Sequence, residues 1–436
     1  MTDINVRLSA AKGSLETLSI LLDEGRVRAS RGDWLHVAPS GRCLSWDRVE
    51  GMLLGLAIGD SLGNTSEGLV PRSRRELFGE IRDFQPNRIA GNRAVGLPSD
   101  DSQMAFWTLD ELTGAGALVP EALARRFTSQ RIFGIGATVR QFVSNHAIHR
   151  KPWHESGPES AGNGALMRIA PVVVPHVAAP SPGLWADAVL ATMMTHNDSA
   201  AIASSVAFVA MLWDLLQAPS PPSPEWYSRR FVDVCRQVET TAPYSPRFGS
   251  STEWTGTLSA WTTARIDAAR AAGDSLVDGQ ETWGSGAYLL ETVPSVLWAL
   301  ELHGHDPEEA ILRAINDTLD NDTVGAIVGA AVGALHGASA LPARWRKGLT
   351  GRTGPDDDGA MFRMVDAAHD RFWQGQWTLR DVFGRTPDGR FFNFRFSCRC
   401  SSNQSAKLML QPRCGRQGWC RDWYELGIYL IRVRVG

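Results

Sequence analysis

Small and apolar residues recur along this chain at helical spacing, and no interior run alternates with the period of two that a half-buried strand requires. The clearest case starts at Asn316, N-D-T-L-D-N-D-T-V-G-A-I-V-G-A-A-V-G-A-L-H-G. Asp317, Asp320 and Asp322 precede an apolar run that carries Gly325, Gly329, Gly333 and Gly337 at every fourth place. Residues spaced i, i+4 share one helical face. Each glycine costs a helix up to about 1 kcal/mol relative to alanine, so a row of four calls for a second backbone lying in the groove it leaves. A matching row, Gly51, Gly55, Gly59 and Gly63, occurs far earlier. The two rows predict two helices in close contact in one core, each with acidic residues at its polar end. The apolar run Val324 to Leu335 falls short of the roughly 20 residues that span a bilayer, which argues against a membrane role.

Further helices are predicted at Ser14 to Asp23, Gln103 to Leu112, within Arg125 to Val143, at Ala186 to Thr195, Ser199 to Leu216, Glu308 to Ile315, across much of Glu225 to Gly279, and after Trp283 as far as Leu302. Residues 71 to 98, rich in Arg, Gly, Asn and Pro, read as a loop, and Ala218 to Pro224 as a loop insertion. The expected fold is all-α. Three parts are expected: an N-terminal extension (1 to 47), a helical domain (48 to 375) and a tail (376 to 436).

Composition changes this picture little. At 436 residues, 43% hydrophobic and 21% charged, the chain resembles an ordinary globular enzyme. A net charge of -3 implies no general attraction to nucleic acid. The first residues lack the apolar core of a secretion signal, and six cysteines are too sparse for a disulfide scaffold, so a reducing cytoplasm is the expected setting. The tail differs: Arg380 to Gly436 holds 11 basic and 4 acidic residues, with Cys398, Cys400, Cys414 and Cys420. Their spacing fits no familiar zinc pattern. Tyr424 to Val435 alternates like a strand or hairpin.

Candidate chemistry lies at the polar ends of the helices. Asp320, Asp322 and Thr323 offer one cap oxygen and more acids than a cap needs. Ser99-Asp100-Asp101-Ser102 opens another helix with adjacent aspartates. It reads either as a hydroxyl cap or as hard oxygen ligands of the kind that Mg2+ or Mn2+ prefers. Four aspartates brought together repel and raise one another's pKa values, and divalent ions offset that. Glu67 follows the first glycine helix in a loop. His146, His149 and His154 are irregularly spaced around Pro152 and read as a loop. Gly162-Asn163-Gly164 before a helical run is a tight turn or a place where phosphate rests on backbone N–H groups. His196, in T-H-N-D, reads as a core, capping or ligand-contacting histidine.

Taken together and in order, these pieces resemble the ADP-ribosylglycohydrolase family: G-L-A-I-G-D-S-L-G-N-T-S-E (55 to 67), S-D-D-S-Q-M (99 to 104), G-I-G-A-T-V-R (134 to 140), G-N-G-A-L-M-R-I-A-P (162 to 171), T-H-N-D (195 to 198), G-A-Y-L-L-E-T (286 to 292) and L-D-N-D-T (319 to 323). The resemblance implies an orthogonal helical bundle with a two-metal centre, Mg2+ or Mn2+, at the bottom of a cleft for ADP-ribose. Ser99, Asp100, Asp101, Asp320, Asp322 and Thr323 would form the metal shell, with Ser99 where the family usually has Thr. Glu67 and Asp101 would be the catalytic carboxylates. Gly134, Gly136, Gly162, Asn163, Gly164, His196 and Tyr288 would bind the substrate, the G-N-G loop at the pyrophosphate and Tyr288 near adenine. The implied activity is removal of ADP-ribose from modified protein side chains, most of all arginine. Gly134 stands where arginine-specific relatives carry an aspartate. That departure motivates the alternative of a catalytically weak or silent ADP-ribose-binding protein.

Overall fold

The two glycine rows meet at the centre of the molecule. The helix Trp46–Gly63 lies antiparallel to Asn321–His336, with Gly55 against Gly329 and Gly59 against Gly325. A methyl group on any of these four would fall inside contact distance of a facing carbonyl, and one at Gly63 would come 2.6 Å from the Cα of Asp322. Missing side chains therefore let two backbones touch. The antiparallel sense has a second consequence: it sets the C-terminal end of the first helix, with Asp60, beside the N-terminal end of the second, with Asp322.

Both helices are buried over nearly their whole length. Asp100–Ala115, Ser199–Leu215, Leu289–His303 and Pro307–Asp317 pack around them, with Trp107, Trp213, Trp261 and Trp283 fully buried between layers. Local sequence fixes the helix ends. Ser99 caps Asp100–Ala115 by accepting from the Asp101 N–H, and Gly116 stops it in the left-handed region at φ +80°. Asp198 caps Ser199–Leu215 by accepting from the Ala200 and Ala201 N–H groups.

The computed structural model describes residues 4–41, 43–247, 253–373, 377–385 and 391–399. The described residues up to 373 form one compact unit, all-α in character, and those from 377 to 399 belong to a second. Within the first unit, Ser14–Asp23 docks against Gly183–Met193 and buries Leu18, Ile20 and Leu21. In the second, Trp377–Arg385 and Phe391–Arg399 pair as an antiparallel hairpin from Trp377 with Arg399 to Arg385 with Phe391. The strand expected at Tyr424 to Val435, and Cys400, Cys414 and Cys420, lie outside the described residues. No described helix is long and apolar enough to cross a membrane.

Two expectations are corrected. Residues 71 to 98 are not all loop: Pro71–Phe78 is a helix, and Pro86–Asn87 pairs with Arg93–Ala94 as two short antiparallel strands. Pro71 at the first helical position suits a helix start, and the abundant arginines that suggested a loop are good helix formers. Secondly, no α-helix follows Gly162-Asn163-Gly164. The chain continues in 3-10 turns, Leu166–Arg168 and Ala170–His176, because Pro171 and Pro175 remove the N–H groups an α-helix would use.

Candidate active site

Three segments bring carboxylates to the junction of the glycine helices. Single oxygens of Asp60, Asp101 and Asp322 lie within 4.8 Å of one another, and so do those of Glu67, Asp320 and Asp322. Asp322 belongs to both groups. Asp60 and Asp101 are buried, whereas Glu67 stands exposed on the turn after Asn64–Ser66.

The cluster is built by hydrogen bonds as well as by packing. Asp60 accepts from the Ser99 N–H at 3.0 Å, from the Ser102 N–H at 3.1 Å, from the Ser102 hydroxyl and from Asn64 Nδ2 at 3.2 Å. A carboxylate from the first glycine helix thus holds the start of Asp100–Ala115. Ser99 Oγ donates to Asp101 Oδ2 at 3.0 Å, while Asp101 Oδ1 is buried with no hydrogen-bond partner. Asn163 Nδ2 donates to Asp320 Oδ2 at 2.6 Å and to Thr292 Oγ1 at 3.0 Å, joining the G-N-G loop to the acids. The Thr323 N–H donates to Asp322 Oδ1 at 2.8 Å.

Electrostatics follow from this crowding. Burial, then the charge of Asp60, pushes the half-buried Asp100 up to about 8. Asp320 is pushed up to about 6, chiefly by burial, against the lowering effect of the Asn163 hydrogen bond. Asp101 and Asp322 rise well above the carboxylate range from burial and from their acidic neighbours, and Glu67 rises from burial and Asp60. Carboxylates in this state need positive charge. A hard divalent cation fits: the donors are all oxygen, and the unpartnered Asp101 Oδ1 is a free ligand atom.

The remaining predicted residues are placed as follows. Asp100 adjoins the cluster but is not among the carboxylate oxygens that converge within it, and the Thr323 side chain hydrogen-bonds Asp320. Gly134 lies beside Asp100, where a Cβ would come 3.0 Å from Asp100 Oδ1, and its φ of +62° favours glycine. Gly136 precedes Ala137–Val143 with open space around it. Gly162 bridges Tyr288, and a Cβ at Gly162 or Gly164 would come 3.5 or 3.3 Å from His196 Nε2. Tyr288 lies under the Arg247 guanidinium, 4.1 Å from ring centre to charge. The histidines around 150 are not all in a loop as expected: His146 lies in the helical segment Ser144–Ile148 and His154 in the helix Trp153–Ser156, with His146 Nδ1 paired with the Lys151 carbonyl oxygen and His154 Nε2 with Asn5 Oδ1.

Sequence reasoning passed over Asp60 as a site residue. The signal was present, because a lone acid inside the run M-L-L-G-L-A-I-G-D-S-L-G is a buried charge that needs partners. It also passed over Arg74. That side chain is fully buried and donates to the Ser66 and Leu69 carbonyl oxygens on one side and to those of Asn316 and Thr318 on the other.

Comparison with known proteins defines the class. The sequence model of the ADP-ribosylglycohydrolase family matches residues 43–376. The ADP-ribosylarginine hydrolase Tri1 of Pseudomonas putida is 28% identical over 314 residues, covering 69% of this chain and 73% of that one. The ADP-ribosyl-[dinitrogen reductase] glycohydrolase of Rhodospirillum rubrum is 23% identical over 331 residues, 74% of this chain and 95% of that one. A solved ADP-ribosylglycohydrolase-related protein complex superposes with a TM-score of 0.54 at 25% identity, over 75% of this chain and 98% of its own. The chain belongs to the ADP-ribosylglycohydrolase family, and is accordingly a glycosidase acting on ADP-ribosyl bonds.

Proposed function

We propose that the chain removes ADP-ribose from arginine side chains of modified proteins, using two divalent cations, Mg2+ or Mn2+, held by Ser99, Asp100, Asp101, Asp320, Asp322 and Thr323, with Asp60 supporting them. The reading rests on one observation above all: Asp101 and Asp322, distant in sequence, share one buried carboxylate cluster with Asp60. The arginine linkage is favoured by the relative named as an ADP-ribosylarginine hydrolase.

Hydrolysis of the C1–N bond forms a new bond from water oxygen to C1 of the ribose, breaks the bond to the guanidinium nitrogen and returns a proton to that nitrogen. Positive charge develops on the ring as the bond breaks, and neighbouring carboxylates lower that barrier. Glu67, whose carboxyl is raised by partial desolvation at the edge of the cluster and by Asp60, takes the proton from water and passes it to the leaving nitrogen. Bound cations would supply orientation of the ribose hydroxyls and polarisation of the attacking water. Asn163 steadies Asp320, the G-N-G loop and His196 receive the pyrophosphate, and Tyr288 meets the adenine.

Incubation with arginine- and serine-ADP-ribosylated proteins in Mg2+, Mn2+ or EDTA tests this. Release of ADP-ribose from the arginine conjugate, abolished by EDTA, is expected. Release from the serine conjugate alone, or unchanged release in EDTA, overturns it.

A further inference from the structure

Beneath the G-N-G loop lies a positive charge that no acid balances. Arg168 is fully buried, and Nη2 donates to the Ala191 carbonyl oxygen and to Thr195 Oγ1, both at 2.8 Å. Nε and Nη1 have no hydrogen-bond partner, and no described carboxylate forms an ion pair with the group. Phe127 covers it, the guanidinium carbon standing 4.9 Å from the ring centre. Burial alone lowers it to about 9, so it remains charged at neutral pH. A buried cation left in this state is strongly unfavourable unless an anion nearby offsets it.

The charge is connected to the loop. Thr195 Oγ1 lies 2.9 Å from His196 Nδ1. Arg168 has only hydrogens to offer, so that hydroxyl accepts from it; its own hydrogen is left to point at Nδ1 in the arrangement inferred below. In that arrangement His196 is neutral, with Nδ1 accepting and Nε2–H turned to donate. Burial and the charge of Arg168 both hold the imidazole down, to about 3, which keeps it neutral. The Nε2 edge faces the loop, close enough that a Cβ at Gly164 would come 3.3 Å from it.

We infer that Arg168 is a positioning residue and the buried counter-charge for the ligand's pyrophosphate, acting through Thr195 to fix His196 as an Nε2–H donor toward the Gly162–Gly164 loop. The ligand half of this inference rests on the ADP-ribose reading above; the tautomer half does not. A structural role alone would make Arg168 matter equally for every ligand, whereas a counter-charge matters for anionic ones.

The experiment compares binding of ADP-ribose and of adenosine, which lacks phosphate, to the full chain, together with 15N spectra of labelled histidine. Arg168→Met is expected to weaken ADP-ribose roughly 10- to 100-fold, the range of one or two charge-assisted hydrogen bonds, with adenosine unchanged within about twofold. Arg168→Lys should recover part of the loss. Thr195→Val, nearly isosteric, should weaken ADP-ribose and shift His196 to mixed tautomers, while Thr195→Ser should keep both wild-type properties. The inference is overturned by a protonated Nδ1 on His196 in the wild type, by unchanged ADP-ribose binding in both Arg168→Met and Thr195→Val, or by parallel losses for ADP-ribose and adenosine. A wild type that binds no ADP-ribose while His196 keeps the Nε2–H tautomer would instead overturn the functional reading, and the ligand half with it.

Discussion

Arg74 Nη1 donates to the carbonyl oxygen of Thr318 at 2.7 Å, while Nη2 of the same guanidinium donates to the carbonyl oxygens of Ser66 and Leu69 at 3.2 and 2.8 Å. One side chain thereby ties the turn that presents Glu67 to the loop that presents Asp320. Asn321 Nδ2 adds a parallel tie to Ser66 Oγ at 3.1 Å. The two carboxylate-bearing segments belong to opposite ends of the family domain, and these are the bonds that hold them in register.

Replacing Arg74 by Met leaves the carbonyl oxygens of Ser66, Leu69, Asn316 and Thr318 without this donor in a buried place. An unsatisfied buried group costs about 1–3 kcal/mol, so a loss of about 3–5 kcal/mol is expected after partial relaxation, measured by urea unfolding. Turnover should fall further than stability alone accounts for under conditions where the variant is folded. A loss below about 1 kcal/mol would show that the clamp is idle.

The glycine contact makes a paired prediction. At Gly59 an added methyl meets the backbone of Gly325, which has nowhere to move, so Gly59→Ala is expected to destabilise by about 3 kcal/mol or more. Gly114, in the helix Asp100–Ala115, has nothing within 4 Å of the same position, and Gly114→Ala should stabilise by up to about 1 kcal/mol. Equal effects at the two sites in thermal or chemical unfolding would refute the close-approach explanation.

Metal removal and pH should be linked. Asp100 and Asp320 titrate near 8 and near 6 in the folded chain, above the ordinary carboxylate value near 4 of the unfolded one. Between those values the folded state holds more protons than the unfolded state, so the metal-free protein loses stability as pH rises from about 4 to 8. Cations take the place of those protons. The Tm difference between Mg2+ or Mn2+ and EDTA is therefore expected to widen from pH 5 to pH 8. Asp101→Asn should raise the metal-free Tm at pH 8 while weakening cation binding in calorimetry. A gap that is constant with pH would contradict the cation site.

Glu67 is exposed and contributes no bond to the core, so Glu67→Gln should change unfolding free energy by no more than about 0.5 kcal/mol. Gly134 supplies no second acid beside it. Turnover of arginine-linked ADP-ribose should then fall by about 10²–10⁴, the range for loss of a general acid–base group. Single-turnover assays that retain wild-type rates would remove Glu67 from the chemistry.

Periodicity by itself determined that two glycine-faced helices exist and must touch, because the cost of a glycine row is local and its spacing is fixed by the helix. The adjacent aspartates at 100 and 101 and the trio ending at Asp322 were equally legible, since acids at helix starts stand out against apolar runs. Tertiary structure alone decided that the helices run antiparallel, and with that which ends meet, so that Asp60 joins Asp101 and Asp322. It also decided that Arg74 and Arg168, ordinary surface residues by type, are fully buried. The reason is physical: a helix period reports which face is covered, whereas the partner of a buried charge is chosen by contacts between separate segments, near in sequence for Arg168 and far for Arg74, and no local pattern encodes them.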